Sequence, residues 1–163
     1  MDVREGRPED LERINDIYNH YVRTAVCTFD IDEISIARRV EWFETYSASG
    51  RHRLFVADDA GVIAYAISSP FMARRAYETS VSTSIYCSPD HTGKGIGSAL
   101  YRVLFDAIAG EDLHRAYAGI TQPNEASVAL HESFGFKQVA YFTEQGRKFD
   151  RYWDVAWFEK ELS

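Results

Sequence analysis

Residues 85 to 98 read Ile85-Tyr86-Cys87-Ser88-Pro89-Asp90-His91-Thr92-Gly93-Lys94-Gly95-Ile96-Gly97-Ser98, an apolar strand end followed by a proline stop and a glycine-studded turn that opens an apolar helix. Gly93, Gly95 and Gly97 stand at alternate positions, where the missing Cβ atoms let a ligand approach the backbone. The helix after them offers unpaired N–H groups and the positive end of its dipole, so the stretch predicts a phosphate cradle. Spacing excludes two common cradles. A G-x-x-x-x-G-K-S/T loop needs a hydroxyl after its lysine, and here Gly95 follows Lys94. A G-x-G-x-x-G dinucleotide turn spaces its glycines differently from 93, 95 and 97.

On either side of this turn, helical and strand signals alternate along a chain of 163 residues with 45% apolar and 14% aromatic content, which suits one domain over 1–163 with a sizeable core. A strand near Val3 precedes a helix marked by Pro8 and by Leu11, Ile14, Ile17, Tyr18, Tyr21 and Val22 at helical spacing. A second helix is predicted from about Glu33 to Ser47 with Ile36, Val40, Phe43 and Tyr46 inward, ended by Gly50. Residues 53–58 and 62–69 read as a hairpin around Asp59-Ala60-Gly61, and Glu78 to Cys87 as a long strand ended by Pro89. A third helix runs from Gly95 to Ile108, a strand covers 115–120, and Pro123-Asn124 opens a fourth helix that Gly135 ends. The tail reads as strands over 136–142 and 152–158 joined by a Gln145-Gly146 turn. The order predicts an α/β (α+β) fold with a mixed, mostly antiparallel sheet of six or seven strands and about four helices.

A net charge of −7 argues against a nucleic-acid partner. Cys27 and Cys87 lie far apart and form neither a metal-ligand nor a redox spacing, so no metal is expected and a cytoplasmic location with reduced thiols is the plain reading. No apolar run approaches the roughly 20 residues of a membrane span, and the N-terminal residues lack a signal-peptide core.

Ser88 to Gly97 resembles the acetyl-CoA pyrophosphate loop of the GNAT superfamily of N-acetyltransferases, whose pattern is Gln/Arg-x-x-Gly-x-Gly/Ala; Thr92 takes the place of the Gln or Arg. Ile120 to Phe136, with Gln122-Pro123-Asn124 and His131, resembles that superfamily's next motif. The likeness extends to the phosphinothricin and methionine-sulfoximine acetyltransferase branch through Tyr18-Asn19-His20-Tyr21, Thr28-Phe29, Pro70-Phe71, Ala76-Tyr77 and Tyr152-Trp153-Asp154-Val155. This resemblance implies the GNAT fold with splayed central strands, acetyl-CoA as cosubstrate, direct acetyl transfer to a primary amine of a small molecule, and a homodimer. It implies that Ile85, Tyr86 and Cys87 contact the pantetheine arm, that Gly93, Lys94, Gly95, Ile96, Gly97 and Ser98 hold the pyrophosphate, and that Asn124 orients pantetheine. His131 falls where many members place a Tyr near the CoA sulfur, which implies a role in thiolate departure.

Two departures bear on catalysis. Ser82 occupies the position at which the branch carries a glutamate, and a Ser hydroxyl is no general base near neutral pH. Glu78 faces the same side as Ser82 by two-residue alternation, roughly 13 Å along a strand, so a chain of waters would have to join them. Met72 stands where the branch often carries Lys or Arg, with Arg74 and Arg75 as candidates to compensate. Phe29, Arg74 and Tyr77 are the expected acceptor contacts, and Tyr86 and Trp153 are further aromatic candidates. A competing expectation is an acyl-CoA-binding sensor whose chemistry decayed with the glutamate; a nucleotide-binding module is a third.

Overall fold

The structure is a computed structural model and describes residues 1–163. Its elements are β1 (Asp2–Glu5), α1 (Leu11–Thr24), α2 (Ile36–Phe43), β2 (Leu54–Asp58), β3 (Val62–Pro70), β4 (Ser80–Cys87), α3 (Ile96–Ile108), β5 (Arg115–Thr121), α4 (Glu125–Ser133), β6 (Lys137–Lys148) and β7 (Arg151–Glu161). The strands make one seven-stranded sheet in the order β1-β2-β3-β4-β5-β7-β6. All neighbours are antiparallel except β4 and β5.

The sheet is covered on both faces, which is why Leu54, Phe55, Val56 and Ala57 are all buried instead of alternating. On one face α1 lays Leu11, Ile14 and Ile17 against Val56, Tyr65 and Ile67, with Trp42 and Phe43 of α2 beside them. On the other, α3 packs Leu100, Tyr101 and Leu104 against Phe55, Ala64 and Ala66. A third cluster joins Ile108 to Ala116, Ala118, Ile120, Phe136 and Phe158 of the β5–β7 half. Arg4 ties β1 to the start of α1 and to β2: it donates to both oxygens of the buried Asp10 carboxylate at 2.8 and 2.9 Å and to Asp58 at 2.7 Å.

Three expectations are corrected. The second helix is shorter than 33–47, starting after Ser35, whose Oγ accepts from the Arg38 N–H at 3.2 Å. Ile36 and Val40 are exposed; the inward face follows Arg39, Trp42, Phe43 and Tyr46, which keep the i, i+3, i+4, i+7 spacing. Arg39 is tolerated inside because its guanidinium lies 4.4 Å from the Trp42 ring and 4.8 Å from the Tyr18 ring and donates to Asn15 Oδ1 at 3.0 Å. Second, β4 starts at Ser80, and Glu78 ends a 3₁₀ turn outside the strand, so strand alternation does not apply to it. Third, β6 runs on to Lys148, and the turn into β7 is made by Phe149 and Asp150, both at positive φ (54° and 57°). The Gln145-Gly146 signal belongs to a break in register between Phe142 and Gly146. Asp154 stabilises that bulge by accepting from the Glu144 N–H at 2.7 Å and the Tyr141 hydroxyl at 2.8 Å.

Candidate active site

The site begins where β4 and β5 part. They pair at only three positions, Ser80 with Arg115, Val81 with Ala116 and Ser82 with Tyr117. Beyond them β5 pairs with β7 alone, so its other edge and that of β4 stay open from Thr83 onward. The parting therefore starts two residues before the expected Ile85. The Ser88 N–H donates to Ile63 O of β3 at 2.8 Å, so by alternation Thr83, Ile85 and Cys87 turn their main-chain groups to the open side. The Tyr21 hydroxyl reaches the Cys87 carbonyl from that side. Tyr86 differs from its neighbours in the trio: its main chain faces β3, and its ring packs with Tyr18 and Tyr65 at centroid distances of 5.2 and 5.5 Å.

A cavity of about 490 Å³ fills this opening. One end is the glycine turn, where Gly93 (φ +74°) and Gly95 (φ +75°) adopt the left-handed conformation that disfavours any side chain. The first main-chain bond of α3 runs from the Ala99 N–H to Gly95 O at 3.1 Å, leaving the amides of Ile96, Gly97 and Ser98 over, as at any helix start. Gly97 serves packing: a Cβ there would lie 3.0 Å from Leu130 of α4, so its absence lets the two helices approach. Lys94 lies outside the lining, its Nζ 3.4 Å from Asp90 O. His91, not anticipated from sequence, lines the cavity with a buried Nδ1 that has no partner. Asn124 caps α4 by accepting the Ser127 N–H at 3.2 Å through its Oδ1, and it is among the residues that line the cavity.

At the deep end stands His131, 3% exposed. Its Nδ1 lies 2.7 Å from the Ser127 carbonyl, which only accepts, so Nδ1 carries the proton and Nε2 is a bare acceptor. The Tyr101 hydroxyl fills that acceptor at 3.0 Å. Burial holds the imidazole below its ordinary pKa despite the Ser127 contact. In this tautomer the neutral ring offers Nε2 as a proton acceptor.

A second cavity of about 400 Å³ lies across the parting, walled by Phe29, Ser82, Tyr117, Gln145 and Trp157. It shares Cys27, Thr83, Ser84, Gly119 and Thr121 with the first, so the two meet between the separated strands. Two glycines shape it. A Cβ on Gly119 would sit 3.1 Å from the Trp157 ring, and one on Gly146 would overlap the Phe29 ring. The Gln145 amide oxygen accepts the Trp157 indole N–H at 3.3 Å.

Of the residues expected on this side, the structure places Phe29 and Ser82 in the wall. Arg74 and Tyr77 are exposed and outside it; Tyr77 edges against Phe71, whose ring stacks on Tyr117 at 4.3 Å. Glu78 does not face Ser82: it is exposed, with Arg51 at 3.9 Å and Arg75 at 4.0 Å. The wall holds no carboxylate and no Lys or Arg. Trp153, the other tail candidate, instead donates to Lys148 O at 2.9 Å under the Arg151 guanidinium. Thr83, Tyr101, Gly119, Gln145, Gly146 and Trp157 were missed because each matters through a partner distant in sequence.

Residues 3–157 match the family model described as an acetyltransferase (GNAT) domain. The chain belongs to this family, and its cosubstrate is acetyl-CoA. It is 53% identical over 99% of its length to a phosphinothricin N-acetyltransferase of Streptomyces coelicolor, covering 96% of that protein. It is 30% identical over 98% of its length to an L-methionine sulfoximine/L-methionine sulfone acetyltransferase of Pseudomonas aeruginosa, covering 94% of it. Among solved structures, a GNAT phosphinothricin acetyltransferase from Sinorhizobium meliloti in complex with AcCoA superposes with a TM-score of 0.93 at 34% identity, with 99% of this chain and 88% of that one covered.

Proposed function

We propose that the protein binds acetyl-CoA in the larger cavity and passes its acetyl group directly to a primary amine held in the smaller one. The observation that carries this reading is the junction of the two cavities at Thr83, Ser84 and Gly119, where the parted strands give a thioester and an amine access to each other. The open main-chain groups of Ile85 and Cys87 take the amides of the pantetheine arm as a strand would, the left-over amides of Gly93 to Ser98 take the pyrophosphate, and Asn124 donates to pantetheine. Direct attack requires the amine to be neutral and its proton to have a destination.

The acceptor is a small primary amine. The relatives' names put phosphinothricin, methionine sulfoximine and methionine sulfone first in a panel. The wall favours a second group in the same panel, arylalkyl amines that carry no carboxylate, because Phe29, Tyr117 and Trp157 offer aromatic surface and no wall residue offers a cation to a carboxylate. Release of free CoA thiol, followed for each amine, is the test. Turnover on any member is the expected result; tight acetyl-CoA binding without turnover across the panel would favour the sensor.

A homodimer is also proposed. Exposed Val139, Tyr141, Phe142, Phe149 and Tyr152 gather on the edge hairpin β6–β7, an apolar surface of the kind that a second copy covers. Light scattering at working concentration should give twice the chain mass. No helix is long and apolar enough to cross a membrane.

A further inference from the structure

We infer that Thr83 and Tyr101 form a proton wire that carries the amine's proton from the acceptor cavity to Nε2 of His131, so that a histidine reached through two hydroxyls takes the place of the glutamate this chain lacks at Ser82. The inference rests on the acetyl-transfer reading above.

The wire is laid out in the packing. Thr83, Tyr101 and His131 are 4%, 0% and 3% exposed and come from three elements, β4, α3 and α4. Thr83 is at the apex of the strand parting and lines both cavities, whereas Tyr101 and His131 line the CoA cavity alone. Its Oγ1 lies 3.4 Å from the Tyr101 hydroxyl, which lies 3.0 Å from His131 Nε2. The direction is fixed from the far end. Because Nδ1–H is committed to the Ser127 carbonyl at 2.7 Å, Nε2 must accept and Tyr101 must donate to it; the 3.4 Å contact has the Tyr101 hydroxyl as donor to Thr83 Oγ1, so the wire forms when that hydroxyl gives its proton to Nε2 and Thr83 turns its own toward the tyrosine oxygen. With both hydroxyls so turned, each points its proton toward the imidazole. The Thr83–Tyr101 link is the long one, and such contacts shorten when substrate closes a site.

No alternative base stands on the acceptor side. That cavity's wall contains no carboxylate or histidine, and Glu78 faces Arg51 and Arg75. The His131 ring meets Tyr101 and Phe136 at centroid distances of 5.3 and 5.0 Å and hydrogen-bonds no charged side chain, so nothing ionic holds it protonated at neutral pH.

The step balances. The amine nitrogen attacks the thioester carbon, the C–N bond forms and the C–S bond breaks. The amine's proton passes to Thr83 Oγ1 as the Thr83 proton moves to the Tyr101 oxygen and the Tyr101 proton to Nε2. The resulting imidazolium returns one proton through Tyr101 to the departing thiolate, giving amide and free CoA with His131 neutral again.

The test uses the full chain and an amine that turns over. Thr83→Val and Tyr101→Phe keep shape and remove one hydroxyl each; kcat should fall about 100-fold in both, while the acetyl-CoA dissociation constant from calorimetry stays within about twofold. Thr83→Ser should restore kcat, and the acid limb of the pH–rate profile, set by His131 in the wild type, should vanish from the residual activity of Tyr101→Phe. A kcat within about twofold of wild type for Thr83→Val, or an acid limb that persists in Tyr101→Phe, would overturn the wire. Nitrogen-15 spectra of the His131 ring supply a readout independent of turnover: Nδ1–H with an Nε2 shift moved by Tyr101→Phe supports the wire, and Nε2–H sinks it. If no amine turns over, the acetyl-transfer reading fails while the spectra still judge the wire.

Discussion

The two cavities that meet at Thr83 are built in opposite ways. The CoA side is made mostly of main chain, with left-handed glycines, the first amides of α3, the open edge of β4 and one cap residue, Asn124. The acceptor side is made of side chains brought from the 25–30 segment, β4, β5, β6 and β7, with glycines at 119 and 146 making room for Trp157 and Phe29. A main-chain site depends on backbone conformation and tolerates most side-chain change, whereas a side-chain site is retuned by one substitution. Cofactor and acceptor are thus controlled by separable sets of residues.

The largest expected effect tests the main-chain side. Gly95→Val forces a β-branched residue into φ +75°, with about 1–3 kcal/mol of strain, and puts methyl groups where phosphate should lie. The acetyl-CoA dissociation constant should rise about 100-fold by calorimetry, with the acceptor KM, measured at saturating acetyl-CoA, little changed. A rise in both constants together would break the separation.

Gly146→Ala is the reciprocal change and should have a smaller effect. Its Cβ would overlap the Phe29 ring, so the ring must turn into the cavity or the bulge must shift. The acceptor KM should rise about tenfold, equivalent to roughly 1.4 kcal/mol, while acetyl-CoA binding stays unaltered. Unchanged acceptor kinetics would remove Phe29 from the site.

This contrast explains how much was legible in the sequence. Gly93, Gly95 and Asn124 announce themselves because a left-handed turn and a helix cap have local chemistry, and the order of strands and helices follows from periodicity. The acceptor wall carried no such signal. Gly119 reads as a plain strand position and Gly146 as a turn residue until Trp157 and Phe29 are seen against them, and Gln145-Gly146 sits in a bulge instead because Asp154 accepts the freed Glu144 N–H. Glu78 was misplaced for a related reason: alternation assumed a strand through it, but the chain makes a 3₁₀ turn there. The inward face of α2 was misjudged because a buried arginine, Arg39, sits where the pattern expected an aliphatic residue.

Asn124 has two duties that substitution separates, with effects smaller again. Asn124→Ala loses the cap on the Ser127 N–H, about 1 kcal/mol, which for a chain of this size lowers Tm by roughly 2–4 °C. Asn124→Asp keeps a capping oxygen but loses the amide donor proposed for pantetheine. Its Tm should match the wild type while acetyl-CoA affinity falls about threefold, roughly 0.7 kcal/mol, within the ordinary worth of one hydrogen bond. Equal affinity in Asn124→Asp would restrict the residue to the cap.

The smallest effect is the pH dependence of stability, and it distinguishes the two sides once more. His131 is buried at the CoA side with its pKa lowered by desolvation, whereas the acceptor wall contains no histidine. Between the lowered folded value and the ordinary unfolded value near 6.5, the unfolded chain binds the extra proton and the folded one does not. Stability is therefore complete above about pH 6.5 and is lost progressively as pH falls toward the folded value. His52, lowered by burial and by Arg51, adds a term of the same sign from the start of β2. Thermal melts between pH 5 and 7.5 should show Tm rising with pH, and His131→Gln should flatten that rise to what His52 leaves.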